Sequence, residues 1–423
     1  MLSIRNRLID PITASLRSFK GNARTCILVE PMWGITYNLF VPYASLYMLA
    51  LGVDESGIGL IAAVGMALQT FWSLVSGWIT DRFGRRRTSL IFDVCSWSIP
   101  TLLWVFARDF RWFLVAAILN SMVRVVHTSW SCLFIEDAKP ETRVSLYSWL
   151  AVSGTLSGFF APLAGLLVGR VGLVPATRIL YVVAFFSMTL MFLLRNAFTV
   201  ETSVGKIKLI ESRGKTLHSS LGEYAVAFRM LAGNRAAVVA FVLAVLANIH
   251  MMVRNSFLSI VLTKGIGLPA TLIAIFPPLA SIVTLGAYFF LIPRVKNIRG
   301  ALFLSLGANF MGNILFFFAP TGNIGVVLAA SFMIALGSGV AGPVVDAVLA
   351  NAMDDRTRAT AMAIVYTLMF AVTAPFGWIA GIIAKAGPRL PVLLAAATML
   401  VSALLALMVE REHATGKKVR EGN

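Results

Sequence analysis

Apolar runs of about twenty residues recur along this chain, and no other feature constrains its fold as tightly. A helix of that length crosses ~30 Å of hydrocarbon. In lipid every backbone N–H and C=O must bond within the protein, so only helices and closed barrels can span, and continuous apolarity selects helices. Composition agrees: 58% of the 423 residues are hydrophobic and only 13% are charged. A soluble domain carries about 25% charge. The chain therefore reads as all-α and integral to a membrane. Twelve spans are expected, at 28–50, 57–79, 88–106, 112–135, 144–169, 175–194, 236–261, 268–292, 300–319, 323–350, 358–384 and 389–409. The first run follows a charged arm without a small-residue cleavage site, so no cleavable leader is expected.

The net charge of +17 is distributed by topology. With the N-terminus inside, 27 of the 36 Lys and Arg fall on the cytoplasmic side, seven on the outside, and two (Arg124 and Arg254) within spans. This is the positive-inside bias; it puts both termini in the cytoplasm and makes anionic lipid, not nucleic acid, the partner of the basic charge. The three cysteines, Cys26, Cys95 and Cys132, and the four histidines lack metal-ligand spacing, so no disulfide, metal or other cofactor is expected. A nucleotide-binding Gly-Lys-Ser/Thr loop is also missing, which argues against direct ATP drive.

Residues 195–235 break the pattern. They hold seven basic residues and no spanning run, and read as a cytoplasmic linker between a six-helix bundle at 1–194 and another, with its tail, at 236–423. Leu217, Leu221, Tyr224, Phe228 and Leu231 have helical apolar spacing, as in a helix lying on the membrane surface. The halves echo one another: Asp137–Arg143 as Ala352–Arg358, Ala161-Pro162 as Ala374-Pro375, and Tyr37–Phe40 as Arg254–Phe257, at offsets of 213 to 217 residues.

The loop Gly77-Trp-Ile-Thr-Asp81-Arg82-Phe-Gly84-Arg85-Arg86-Arg87 joins the second and third spans. Its glycines permit a tight turn and close helix approach, and its acid and arginines can form an ion-pair latch. In the matching loop of the second half, Arg294–Gly300, the acid is gone. The first loop resembles the signature of the major facilitator superfamily. Arg124-Val-Val-His127-Thr128 in the fourth span is similar to that family's Arg-x-x-Gln-Gly, with His-Thr in place of Gln-Gly. Asp137, Pro140, Glu141 and Arg143 continue its exit loop. Gly154, Gly158, Ala161-Pro162 and Gly165 are similar to the glycine-proline pattern of its antiporters, and equally suit close helix packing in lipid. The resemblance implies two pseudo-symmetric six-helix bundles, a substrate site between them near the midplane, and gating through Gly77, Asp81, Arg82, Gly84, Arg85, Asp137 and Arg143.

That fold lines its cavity with the first, fourth, seventh and tenth spans, and polar stripes occur on those four. Glu30, Trp33 and Tyr37 share a face of the first, followed by Phe40 and Tyr47. Asn120, Arg124, His127 and Ser131 line up on the fourth, and His250, Arg254 and Phe257 on the seventh beside Asn248 and Asn255. Asp346 ends a small-residue stripe, Gly339 and Gly342, on the tenth. An ionised side chain at mid-span costs ~2.5–3.5 kcal/mol, so such residues face water or a partner. The expected substrate site is Trp33, Tyr37, Asn120, Arg124, His127, Asn248, His250, Arg254 and Asn255, with Glu30 and Asp346 coupling protons. Bland alternatives stand beside this: Arg124 binding backbone carbonyls, Glu30 pairing with Arg24, Arg254 snorkelling outward, and Asp93 joining the ion pairs of the adjacent loop.

The reading is a monomeric, proton-coupled exporter of small organic molecules in a prokaryotic inner membrane. Uptake or exchange of an organic anion, suited to Arg124 and Arg254, is the second transporter reading; a receptor or scaffold that has lost transport is a third. No nucleophile–base pair points to an enzyme. Cysteines introduced in place of Gly214 and in the C-terminal tail are expected to react with impermeant maleimide only from the cytoplasmic side; labelling of either in intact cells overturns the span count.

Overall fold

The computed structural model describes residues 19–212, 233, 235–295, 297–351 and 358–408. They are helical, with no strand among them. The first rod, α1, comprises Gly21–Phe40, a tight turn at Val41–Tyr43 and Ala44–Ala50. Then follow α2 (Glu55–Phe83), α3 (Arg85–Phe106), α4 (Phe110–Ile135), α5 (Glu141–Val171) and α6 (Leu173–Phe198). A short helix, α7 (Ser203–Glu211), precedes α8 (Ala237–Gly265), α9 (Ala270–Arg294) and α10 (Ile298–Phe317). The chain continues as α11 (Ile324–Asn351), α12 (Arg358–Ala386) and α13 (Leu390–Ala406). Ten of these helices are long and apolar enough to cross a membrane. The remaining two rods of the expected twelve are α1, whose longest piece has 20 residues, and α13, with 17. The expected surface helix around 217–231, and the 352–357 part of the repeat, lie outside the described residues.

Local chemistry sets the reversals. Gly84 and Gly172, at φ +83° and +85°, end α2 and α5 and start the next helix at once, a backbone that side chains resist. Asp54 caps α2 by accepting the Gly57 N–H at 2.8 Å. Because α6 runs on to Phe198, Arg195 belongs to a helix and not to the linker expected from residue 195.

The two ends of the bundle differ. Toward Gly52, one apolar core joins both halves, with Tyr43, Tyr47 and Phe113 from the first and Ile249, Phe257 and Ile260 from the second. Toward Gly84 each half keeps a core of its own: Cys26, Phe134 and Leu146 in one, Leu302, Val345 and Met399 in the other. Polar bridges between halves follow the same bias. At the Gly52 end Ser45 Oγ donates to Ser256 O at 2.6 Å, Lys264 pairs with Glu55 at 2.7 Å, and Lys385 pairs with Asp54 at 3.0 Å. The longest seam is α2 against α12, where a Cβ on Gly59 would fall 2.5 Å from Gly377 O. Further along it, Thr367 Oγ1 donates to Ser73 Oγ at 3.1 Å.

Replacing Gly59 by Val is expected to force α2 and α12 apart and lower the unfolding midpoint in detergent, by roughly 1–3 kcal/mol of overpacking. Gly65→Ala is the control: a Cβ there meets nothing within 4 Å, and the stiffer backbone is expected to add roughly 0.5–1 kcal/mol. Equal effects of the two would show that the seam is not close-packed.

Candidate functional site

The loop after α2 is held from three sides. Arg85 is nearly buried and forks, its Nη1 on Asp81 at 2.9 Å and its Nε and Nη2 on Glu136 at 3.1–3.2 Å. The Glu201 carboxylate, from the segment after α6, accepts the backbone N–H groups of Arg85 and Arg86 at 3.0 and 3.1 Å. That is a favourable place for negative charge, since the first N–H groups of a helix have no partner within it. Arg86 Nε donates to Asn196 O at 2.8 Å, Thr202 Oγ1 donates to Glu136, and the Ser203 N–H donates to Asp137 Oδ1 at 3.1 Å. Arg82 lies over the Trp78 ring, 5.4 Å from its centroid. Arg143 is exposed. Gly84 makes the turn, but a Cβ on Gly77 would meet open space, so the close helix approach expected there does not occur. Glu136 and Glu201 were not among the expected gating residues.

Between the halves lies a cavity of two lobes. The larger, about 640 Å³, places Glu30, Trp33, Tyr37, Asn120, Arg124 and His127 of the first half opposite Asn248, Asn255 and Tyr366 of the second. The smaller, about 470 Å³, lies mostly in the second half and takes in His250, Arg254 and Asp346. Asn248, Met251, Asn255, Tyr366 and Met369 line both, so the lobes meet there. The expected substrate and coupling residues thus border one two-lobed space. Phe40, Tyr47 and Phe257, from the same stripes, are in the core instead. Arg254 lines the smaller lobe and does not snorkel outward.

Asp93, Arg195, Trp97 and Phe370 are among the side chains in the larger lobe that were not expected there. Asp93, on α3, makes a buried ion pair with Arg195 on α6, whose Nη2 also donates to Ser89 Oγ at 2.9 Å. Asp93 therefore belongs to the cavity wall and not to the loop network. Trp97, also on α3, stands edge-on to Trp33 and Tyr37 at 5.2 and 5.8 Å, and those two stack at 4.7 Å. Phe370, from α12, lies under the Arg124 guanidinium at 4.7 Å. The charge that acts on Glu30 is Arg195, and Arg24 is exposed.

Several of these groups lack partners. Arg124 Nε, Arg254 Nη1, His250 Nε2, Asn248 Oδ1 and Glu30 Oε2 are each buried with no hydrogen bond among the described residues. Such groups normally find one. A cavity edged by unsatisfied donors and acceptors from both halves is equipped to hold a polar solute. Among the described residues no group of three or more His, Cys, Asp or Glu is arranged to hold a metal ion.

The chain is similar to solved membrane transporters over nearly its whole length. It superposes on the nucleoside transporter NupG with a TM-score of 0.67 at 15% identity, covering 92% of this chain and 98% of that one. For the human organic anion transporter MFSD10 the TM-score is 0.61 at 15% identity, with 91% and 99% covered. For a POT family transporter in complex with 5-aminolevulinic acid it is 0.68 at 12% identity, with 91% and 94% covered. At such identities the likeness is one of fold. The uncharacterized MFS-type transporter YqjV of Bacillus subtilis (strain 168) is 23% identical over 146 residues, 34% of this chain and 35% of that one, so the chain spans about a third of that relative's length. The sequence model of the Major Facilitator Superfamily matches residues 32–343, and with the two-bundle architecture and the central cavity already in view, the chain belongs to that family.

Proposed function

We propose that this protein is a secondary active transporter that exports a small organic solute by alternating access, driven by protons. The observation that carries the reading is the two-lobed cavity: unsatisfied polar groups from both halves face one space at the seam, where a rocking motion exposes them to either side. The halves are closed together at the Gly52 end and separately cored at the Gly84 end. With the basic Gly84 end in the cytoplasm, this is the inward-facing state.

Proton coupling follows from a charge count in the larger lobe. Glu30 and Asp93 share one nearby guanidinium, Arg195, which already pairs with Asp93. A second buried carboxylate without a partner costs several kcal/mol, which a proton on Glu30 relieves. Releasing that proton frees Glu30 to compete for Arg195, so the charge state of the wall changes with each proton moved. His127 and Arg124 on α4 face the same lobe, and Cys26 lies a turn away on α1.

Glu30→Gln keeps the shape but holds the site neutral. In proteoliposomes, gradient-driven flux is expected to fall roughly tenfold or more, the equivalent of about 1.4 kcal/mol, while exchange without a gradient survives. Full gradient-driven flux in this variant removes Glu30 from the mechanism.

Outward opening must break the Asp54–Lys385 and Glu55–Lys264 bridges. The Gly57 N–H first, and then Lys385 and Ser56, hold the Asp54 carboxyl below its ordinary range. A group shifted that way contributes to closure above its ordinary pKa, and the contribution fades as pH falls through the lowered value. Spin labels across the Gly52 end are expected to keep their short distance to below about pH 4 and lengthen under more acid conditions. In Asp54→Asn that pH response is expected to shrink, because the Glu55–Lys264 bridge is the one acid-sensitive pair left of the two.

A further inference from the structure

Resting on the transporter reading, the charges of the cavity narrow the class of solute. Its two lobes are lined by three arginines, Arg124, Arg195 and Arg254, and three acids, Glu30, Asp93 and Asp346. The balance is even in number and uneven in place. Arg195 is taken by Asp93 and lies beside Glu30. Arg124 has no carboxylate beside it: its ionisable neighbours among the described residues are Tyr366 and His127. For Arg254 the neighbour is His250, one helical turn away. Asp346 lines the lobe of Arg254 but is far from it in depth. It lies five residues from the Gly84 end of its helix, and Arg254 lies nineteen from Arg235, where the helical backbone that leads into α8 begins. At 1.5 Å per residue these are depths of about 8 and 28 Å. The matching ends are level, since Val239 and Val348 pack on the same cluster. Arg254 therefore sits deep and Asp346 near the mouth, while the other acid without a partner of its own, Glu30, lies beside Arg195 and leaves Arg124 without a carboxylate.

Arg124 is also presented as a reader. Its guanidinium lies over the Phe370 ring, 4.7 Å from the centroid, and its buried Nε has no acceptor. A planar fork held this way suits a carboxylate or sulfonate better than a neutral oxygen does. The wall of the same lobe carries the stacked Trp33–Tyr37 pair with Trp97 edge-on to both. This is a flat apolar surface for a ring or a similar rigid body. We infer that the transported solute is an organic anion, its acid group docking on Arg124 and its flat apolar body lying against Trp33, Tyr37 and Trp97.

Three probes of one shape and different charge test this: 2-naphthoate, 2-naphthamide and 2-naphthylmethylamine, each added at millimolar concentration to the purified full-length protein in detergent. Binding is read from the unfolding midpoint and from tryptophan fluorescence, neither of which needs transport. The naphthoate is expected to raise the midpoint and quench the fluorescence, with the amide and the amine weaker by roughly tenfold or more in affinity, as for a lost charge-assisted hydrogen bond. Arg124→Ala is expected to abolish the preference for the acid, and Arg124→Lys to retain part of it.

The ligand-free Arg124→Ala protein supplies a second readout. Because the Arg124 Nε is buried without an acceptor, removing the side chain is expected to leave the midpoint no lower than that of the wild type. An arginine holding backbone carbonyls would instead leave them stranded and lower it. The inference is overturned if the amine binds as tightly as the acid, if naphthoate has no effect on the wild-type protein, or if Arg124→Ala keeps the preference. In the first case the cavity still binds a solute and the transporter reading stands. That reading fails separately, if labels across the Gly52 end never leave their short distance under any condition.

Discussion

Everything in this molecule hangs on how closely two helices from different halves approach at one end. Gly59 on α2 lies against Gly377 and Gly381 on α12 at a spacing that leaves no room for a side chain. In hydrocarbon there is no water to expel from such a contact, so its stability comes from dispersion between closely fitted backbones. With that seam in place, the shared core of Tyr43, Phe257 and their neighbours closes the Gly52 end. The halves then diverge toward the other end, and the space between them becomes the cavity. Larger residues at these glycines would alter the angle between the halves, and with it the position of Arg124 relative to Asn248 and Asn255.

Much of the architecture could be read from the residues because membrane insertion is written locally. A run of apolar residues is long enough to span or it is not, and basic residues mark the sides. The loop from Gly77 to Arg87 carried the family in a single stretch. The stripes on α1, α4, α8 and α11 were readable from helical spacing, and part of each, including Trp33, Arg124, Asn248 and Asp346, borders one space, while Phe40, Tyr47 and Phe257 went into the core. What could not be read were partners distant in sequence. Asp93 and Arg195 are separated by 102 residues, and Glu201 lies 116 residues from the Arg85 N–H that it accepts. Nothing local in either acid distinguishes a cavity group from a surface one. Arg195 was further hidden by the charged segment after it, which made the span appear to end four residues before it does.

The interior is also expensive to maintain. Asn248, His250, Arg254, Arg124 and Glu30 each carry a buried polar atom without a partner, and each such atom costs about 1–3 kcal/mol in a protein. A chain selected for stability alone would have replaced them. On the transporter reading proposed above, their presence on facing surfaces of two halves is stability given up for binding, a common trade at functional sites. The buried Asp93–Arg195 pair differs: both members are satisfied, and its effect is to fix the positions of α3 and α6 around Glu30.

One detail of α3 bears on how such a cavity changes over time. Residues Val94–Ser98 are wound as a π-turn, which holds one residue more than an α-turn. Asp93 precedes it and Trp97 lies within it, and both face the larger lobe. The extra residue offsets the two parts of the helix by about 100° of rotation, the share of one residue in a turn of 3.6. A lineage that gained or lost a single codon here would swing the wall of the cavity to new side chains while leaving the packing at either end of the helix as it was. Diversification of what the cavity faces can thus proceed by insertion and deletion as well as by substitution, and two relatives with the same residues in this helix can present different ones to their cargo.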